Sequence, residues 1–202
     1  MSTFRRRLMI NKITPSGRLP DTYQEVEYIE CTGDGAYINT DVRTTTYVTA
    51  HIDTMYVSTA SGTKLLFFGG TGAGNWVGQY NRKYAAGSTA ASISSVSASE
   101  RKNLIVILDD RGSFLTVDNE TVSREGTHTS SGYYNLFSGT TYTPNARVYE
   151  CIIYQNSDNT KIRHFIPCYR KVDNEIGLYD LVSNDFFPNA STSGVFLKGS
   201  DV

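Results

Sequence analysis

The chain has 202 residues, 39% hydrophobic and 19% charged, which is enough apolar material for a packed core and too little charge for a disordered chain. No apolar run approaches the roughly 18 residues of a membrane-spanning helix; the longest, residues 104–108, is the length of a strand. The net charge of -1 is unevenly divided: residues 1–18 carry Arg5, Arg6, Arg7, Lys12 and Arg18 with no acid, and the rest has 14 bases against 20 acids, or -6, which argues against a wide phosphate-binding face.

Val, Ile, Thr, Tyr, Phe and Trp make up 74 residues, and with 17 Gly they point to an all-β domain. Residues 1–19 form a basic arm punctuated by Pro15-Ser16-Gly17, and one domain spans residues 20–202. Leu8-Met9-Ile10 is too short an apolar run for a secretory signal. Strands are predicted at 23–32 and 36–42, joined through Gly33-Asp34-Gly35. In residues 47–57 the alternation is plain: Val48, Ala50 and Ile52 share one face, and Thr49, His51 and Asp53 the other. Residues 64–68 run into the glycine loop 69–74, and 75–84 reads as one further strand. Residues 85–99 have few apolar anchors and read as a loose strand or loop. Residues 104–108 are apolar on both faces, the mark of a central strand; turns at Asp109-Asp110 and Asp118-Asn119 then build a meander. Segments 133–137, 147–154, 161–169, 176–180 and 186–187 complete the set, and no helical stripe persists for three turns. Short strands at this spacing predict a sandwich or barrel.

Cys31, Cys151 and Cys168 are widely spaced and have no zinc-ligand pattern, so they read as small buried residues with free thiols. Glu25-Val26-Glu27-Tyr28-Ile29-Glu30 is the strongest acid cluster. Glu25 and Glu27 would share a strand face, with Glu30 joining through a bulge; retaining glycoside hydrolysis needs two carboxyls about 5 Å apart. The plainer reading is a solvent face alternating with Val26 and Tyr28. The glycine loop lacks a following Lys-Ser/Thr and a helix, so it is a corner and not a phosphate cradle. His51, His128 and His164 form no paired spacing, and there is no Gly-x-Ser-x-Gly elbow. Asp109-Asp110 and Asp118-Asn119 offer hard oxygen donors for Ca²⁺ without a fixed ligand spacing, so no cofactor is expected. Trp76, Tyr80 and Tyr84 could form an aromatic row that stacks on sugar rings, or Trp76 could be core. In the arm, Phe4, Arg5, Arg6, Arg7, Leu8 and Met9 combine guanidinium forks with apolar pegs, the composition of an anchor peptide held by a neighbouring subunit or partner. Three adjacent Arg also suit phosphates.

Two stretches carry a family resemblance. The first is Leu19-Pro20-Asp21-Thr22-Tyr23-Gln24-Glu25-Val26-Glu27-Tyr28-Ile29-Glu30-Cys31-Thr32-Gly33 with Ala36-Tyr37-Ile38-Asn39-Thr40. The second is Phe165-Ile166-Pro167-Cys168-Tyr169-Arg170-Lys171 with Asp173-Asn174-Glu175-Ile176-Gly177-Leu178-Tyr179-Asp180, then Phe186-Phe187 and the segment Gly194 to Gly199. Together with Tyr149, Cys151, Ile153 and Tyr154, these resemble the concanavalin A-like (LamG-type) jelly-roll domain of phage and prophage proteins from gut bacteria. The opening Met1-Ser2-Thr3-Phe4-Arg5-Arg6-Arg7-Leu8-Met9 resembles the short N-terminal tags of virion proteins in crAss-like and related phages.

The resemblance implies a two-sheet antiparallel jelly roll. It also implies a non-enzymatic virion protein, a head decoration, head fibre or tail component assembled in a host bacterial cytoplasm. Its expected partners are other virion proteins through residues 1–12, further copies of itself as a homo-oligomer, with a trimer as the expected state, and a host-surface glycan; membrane and nucleic acid are not expected. Fold alone does not fix function. Two other readings stand beside it: a stand-alone carbohydrate-binding module, and a glycoside hydrolase using Glu25, Glu27 and Glu30.

Overall fold

A computed structural model describes residues 18–59, 64–70, 76–87, 91–126, 131–137 and 143–202. Among the described residues there are strands and no helix. In chain order the strands are β1 (Tyr23–Glu25), β2 (Ile29–Thr32), β3 (Ile38–Arg43), β4 (Val48–Tyr56), β5 (Lys64–Gly69), β6 (Trp76–Tyr80), β7 (Lys83–Ala86), β8 (Ala91–Ser95) and β9 (Arg101–Asp109). They continue as β10 (Gly112–Val117), β11 (Glu120–Glu125), β12 (Tyr133–Leu136), β13 (Asn145–Gln155), β14 (Thr160–Arg170), β15 (Glu175–Asp180), β16 (Asp185–Pro188) and β17 (Phe196–Lys198). They form two packed antiparallel sheets, the β-sandwich of jelly-roll type expected from the sequence. The larger runs β11-β10-β9-β4-β13-β14-β15-β16 and the smaller β3-β12-β5-β6-β7-β8.

The core lies between the sheets and is filled from the inward face of each sheet. Val48, Ala50 and Ile52 of β4 are buried while His51 is exposed, as the period of two requires. Leu104, Val106 and Leu108 of β9 join them. From the small sheet come Phe67, Phe68, Val77, Tyr134 and Leu136. Aromatic pairs bridge the layers, among them Tyr56 with Phe67 at 5.8 Å. Full burial of each large side chain contributes about 1.5–3 kcal/mol, and this face supplies most of the stability. The expectation for 104–108 is corrected in one respect. Strand β9 is central in its pairing, between β4 and β10, yet Ile105 is 38% exposed, so only one of its faces enters the core.

Hairpin chemistry explains the other differences. The predicted strand at 75–84 is a hairpin, because Tyr80 pairs with Lys83 and the intervening Asn81 and Arg82 both have positive φ, 50° and 62°. Asp118 and Asn119, at 50° and 69°, turn β10 into β11 in the same way. Segment 91–95 is a strand, paired to β7. The β13–β14–β15–β16 meander uses one device three times. Its four-residue loops, 156–159, 171–174 and 181–184, each end in an Asn with φ of 57–61°. Asn tolerates this left-handed position better than other side-chain-bearing residues. Gly112 is required at the start of β10: its φ is 146°, and a Cβ there would collide with the Arg124 carbonyl.

A fork in the large sheet places both ends of the body. Strands β13 and β14 pair between 151–155 and 160–165 and then diverge. Into the opening, β1 runs along β14, with Tyr23 opposite Arg170 and Glu25 opposite Cys168. The chain reverses at 26–28, and β2 returns along β13, with Ile29 opposite Val148 and Thr32 opposite Asn145. The predicted single strand 23–32 is therefore two, since residues 26–28 carry the chain from one arm of the fork to the other. The C-terminal segment nests inside the same reversal. Phe196 pairs with Cys31, Asp201 bridges Val26, and the Val202 N–H donates to the Glu25 carbonyl at 3.1 Å.

Candidate functional site

The fork opens onto the face of the large sheet turned away from the core, in a cleft of about 230 Å³. Glu25 and Glu27 reach it from the N-terminal reversal, Asp53 from β4, Arg101 from β9, and Tyr149 and Glu150 from β13. A bulge makes the last two available. The pairing of β13 with β4 slips between Val148 and Glu150, so Val148 and Cys151 both face the core and two residues stand between them.

Charge in the cleft is held in pairs. The Arg18 guanidinium donates to the Glu25 carboxylate and lies 3.7 Å from Glu150. Arg101 grips Asp53 with Nε at 2.7 Å and Nη2 at 2.6 Å, a two-point contact that keeps the guanidinium charged. His164 Nε2 is 2.8 Å from Glu150 Oε1. Arg101 also lies 3.8 Å over the Tyr149 ring, Tyr149 meets Tyr28 edge-on at 5.5 Å, and Arg147 covers Tyr28 at 4.1 Å. This Arg-Tyr-Tyr-Arg ladder fixes the wall of the cleft by cation–π contacts. Four carboxylates, Glu25, Glu27, Asp53 and Glu150, face two guanidinium groups, so the place where residue 18 leaves the sandwich is acidic. The surplus of carboxylates over guanidinium groups suits a cationic segment, and the partners already held by Glu25, Asp53 and Glu150 make those three poorly placed for proton transfer.

The acidic cluster is divided by the structure. Glu25 lies on β1 and Glu30 on β2, on opposite arms of the reversal. Glu30 is 8% exposed and accepts from Arg147 Nε at 2.6 Å, so it is a structural ion pair. Only Glu25 and Glu27 line the cleft. The proposed aromatic row is corrected as well. Trp76 and Tyr84 are each 3% exposed and present no ring face to a sugar; Tyr80 alone is half-buried. Strand β6 buries side chains on both its faces, which spacing alone does not reveal. Burial pushes the Tyr84 hydroxyl up to about 12.

The anchor residues Phe4, Arg5, Arg6, Arg7, Leu8 and Met9 lie outside the described residues, as do His128, residues 71–74 of the glycine loop and Asn75. Asp109 pairs with Arg111 and Asp118 with Lys102, and among the described residues no three His, Cys, Asp or Glu side chains gather as a metal site. The three thiols are free and buried, as read from the sequence. Burial pushes Cys31 up to about 11, Cys168 up to about 12, and Cys151 further still, so none is a nucleophile at neutral pH.

Arg101 and Arg147 were not singled out by their sequence context, since their carboxylate partners are 48 and 117 residues away, and Tyr149 stood out only as part of the family resemblance. One local signal exists: the apolar alternation Ala146-Val148 slips by one before Cys151-Ile153, and that slip is the bulge. The chain matches no family model, no curated protein and no solved structure.

Proposed function

We propose that the chain is a non-enzymatic structural module of a phage particle, attached by its basic arm, residues 1–19, and displaying the sandwich. The observation that carries this reading is the fork. The arm's root at Arg18 sits on Glu25, at one acidic patch on the outer face of the large sheet. A body held there leaves its other surfaces free, which is the geometry of a tethered display domain. The charge division between arm and body supports it, as does the likeness of the chain's two ends to virion jelly rolls. In this reading the partners are other virion proteins through residues 1–12 and further copies of the chain in a trimer. The hydrolase alternative is weakened by the Glu30–Arg147 pair, which takes one of its three carboxylates out of use.

Mass spectrometry of purified particles tests the reading. The chain is expected among the stoichiometric particle proteins. Its absence from particles that are otherwise complete would overturn the proposal.

A further inference from the structure

Away from the fork, β3 of the small sheet meets β14 near the β13–β14 turn and leaves a cleft of about 490 Å³. That is within the size range of small-ligand sites. Its polar lining is Asp41 and Arg43 from β3, Thr46, Tyr133 from β12, Gln155 from β13 and Arg163 from β14. Along β14, Arg163 is five residues from Cys168 at the fork, or about 17 Å.

The guanidinium of Arg163 is set before any ligand arrives. Its Nε donates to the Thr40 carbonyl and its Nη1 to the Ile162 carbonyl, both at 2.9 Å. The fully buried Asp180 carboxylate stands 3.7 Å behind it. Nη2 is left 3.8 Å from the Asp41 carboxylate, too far for a hydrogen bond. Asp41 is itself fixed, with φ of 56° and its N–H donating to Asn39 Oδ1 at 2.9 Å, and its carboxylate is 66% exposed. Arg43 makes no ion pair among the described residues; its guanidinium is held 5.4 Å over the Tyr133 ring, directly across the β3–β12 pairing.

We propose that this cleft binds a carboxylate-bearing saccharide, with the sugar carboxylate on Arg43 and ring hydroxyls shared between Asp41 and Arg163. The inference stands independently of how the arm attaches. A guanidinium with no ion-pair partner among the described residues, set over an aromatic ring, suits an anion. A carboxylate acceptor beside a pre-set N–H donor, with the Thr46 hydroxyl and Gln155 amide adjacent, calls for neighbouring hydroxyls that both donate and accept. An acidic peptide fits less well. The edge of β3 is closed to strand addition, because Arg163 occupies the Thr40 carbonyl and Asp41 breaks the extended backbone.

Isothermal titration of the full chain tests this with oligosaccharides ending in glucuronate or galacturonate, their carboxyl-reduced counterparts, and a poly-glutamate peptide. At least one uronate probe is expected to bind, with its neutral counterpart about tenfold weaker or more, and the peptide weaker than the sugar. Arg43→Ala should lose about tenfold and remove the preference for the acid, Arg43→Lys should fall between, and Tyr133→Ala should weaken binding by releasing Arg43. Arg43 is on the surface, so its variants should keep the wild-type melting temperature. No binding by any uronate probe, equal affinity for acid and neutral sugars, tighter binding of the peptide, or an Arg43→Ala variant that binds like the wild type would each overturn the proposal.

Discussion

Replacing Asp180 by Ala should cost about 3 kcal/mol or more of folding stability, read as a lower urea midpoint at unchanged slope. Asp180 ends β15 with no exposed surface. Its carboxylate accepts from three backbone N–H groups, His164 at 2.6 Å and Val182 and Ser183 at 3.1 Å each, and faces Arg163 at 3.7 Å. Alanine removes a fully buried acceptor from three backbone donors at once, and each donor left unmet in a buried setting costs about 1–3 kcal/mol. It also removes the anion behind Arg163, and breaking a buried pair is costlier than never having had one. Asp180→Asn keeps an acceptor oxygen and should lose less. A loss below about 1 kcal/mol for the alanine variant would mean that the β15–β16 loop finds other acceptors.

The second large effect is expected at the C-terminus. A chain ending at residue 194 should lose its cooperative unfolding transition. The deletion takes away β17 and Phe196, which is 5% exposed and packs against Phe137 at 5.5 Å. Truncating one buried Phe alone costs about 3–5 kcal/mol. Three further backbone bonds go with it, from Glu27 to Ser200, Gly199 to Tyr28 and Val202 to Glu25. The nested reversal of β1 and β2 would then expose an unpaired edge in the middle of the fork. Circular dichroism during heating checks this. A truncated chain that melts cooperatively within a few degrees of the full chain would show that the fork closes without its innermost segment.

What the sequence made legible follows the range of the interactions. Alternation is a local property, so residues 48–53 were readable as part of a half-buried strand down to the face of each side chain. Turn residues are local too, and Gly33-Asp34-Gly35 and Asp118-Asn119 stood out. Arg82 in a left-handed conformation did not, because Arg carries no preference for it, and one strand was read where there are two. The reversal at 26–28 contains neither Gly nor Pro and is imposed by two partner strands more than 115 residues away in sequence. Site residues fared worse for the same reason. Glu25 and Glu27 were visible as acids, but their setting depends on Arg18, Asp53, Arg101 and Glu150, which only the folded sheet gathers. Trp76 and Tyr84 share a strand-like spacing that fits an exposed row and a buried hairpin equally, and burial decided the matter.

Attachment through the arm is tested most directly by deleting residues 1–12 and asking whether the protein joins particles. The deletion touches no described strand, so the truncated chain should stay folded with a melting temperature close to the full chain's. It should be missing from purified particles. Substituting Arg5, Arg6 and Arg7 together by Ala should act the same way where those groups are buried against carboxylates, each lost pair costing ~2–5 kcal/mol. Incorporation of the truncated chain at the full chain's level would contradict the account and assign attachment to the sandwich.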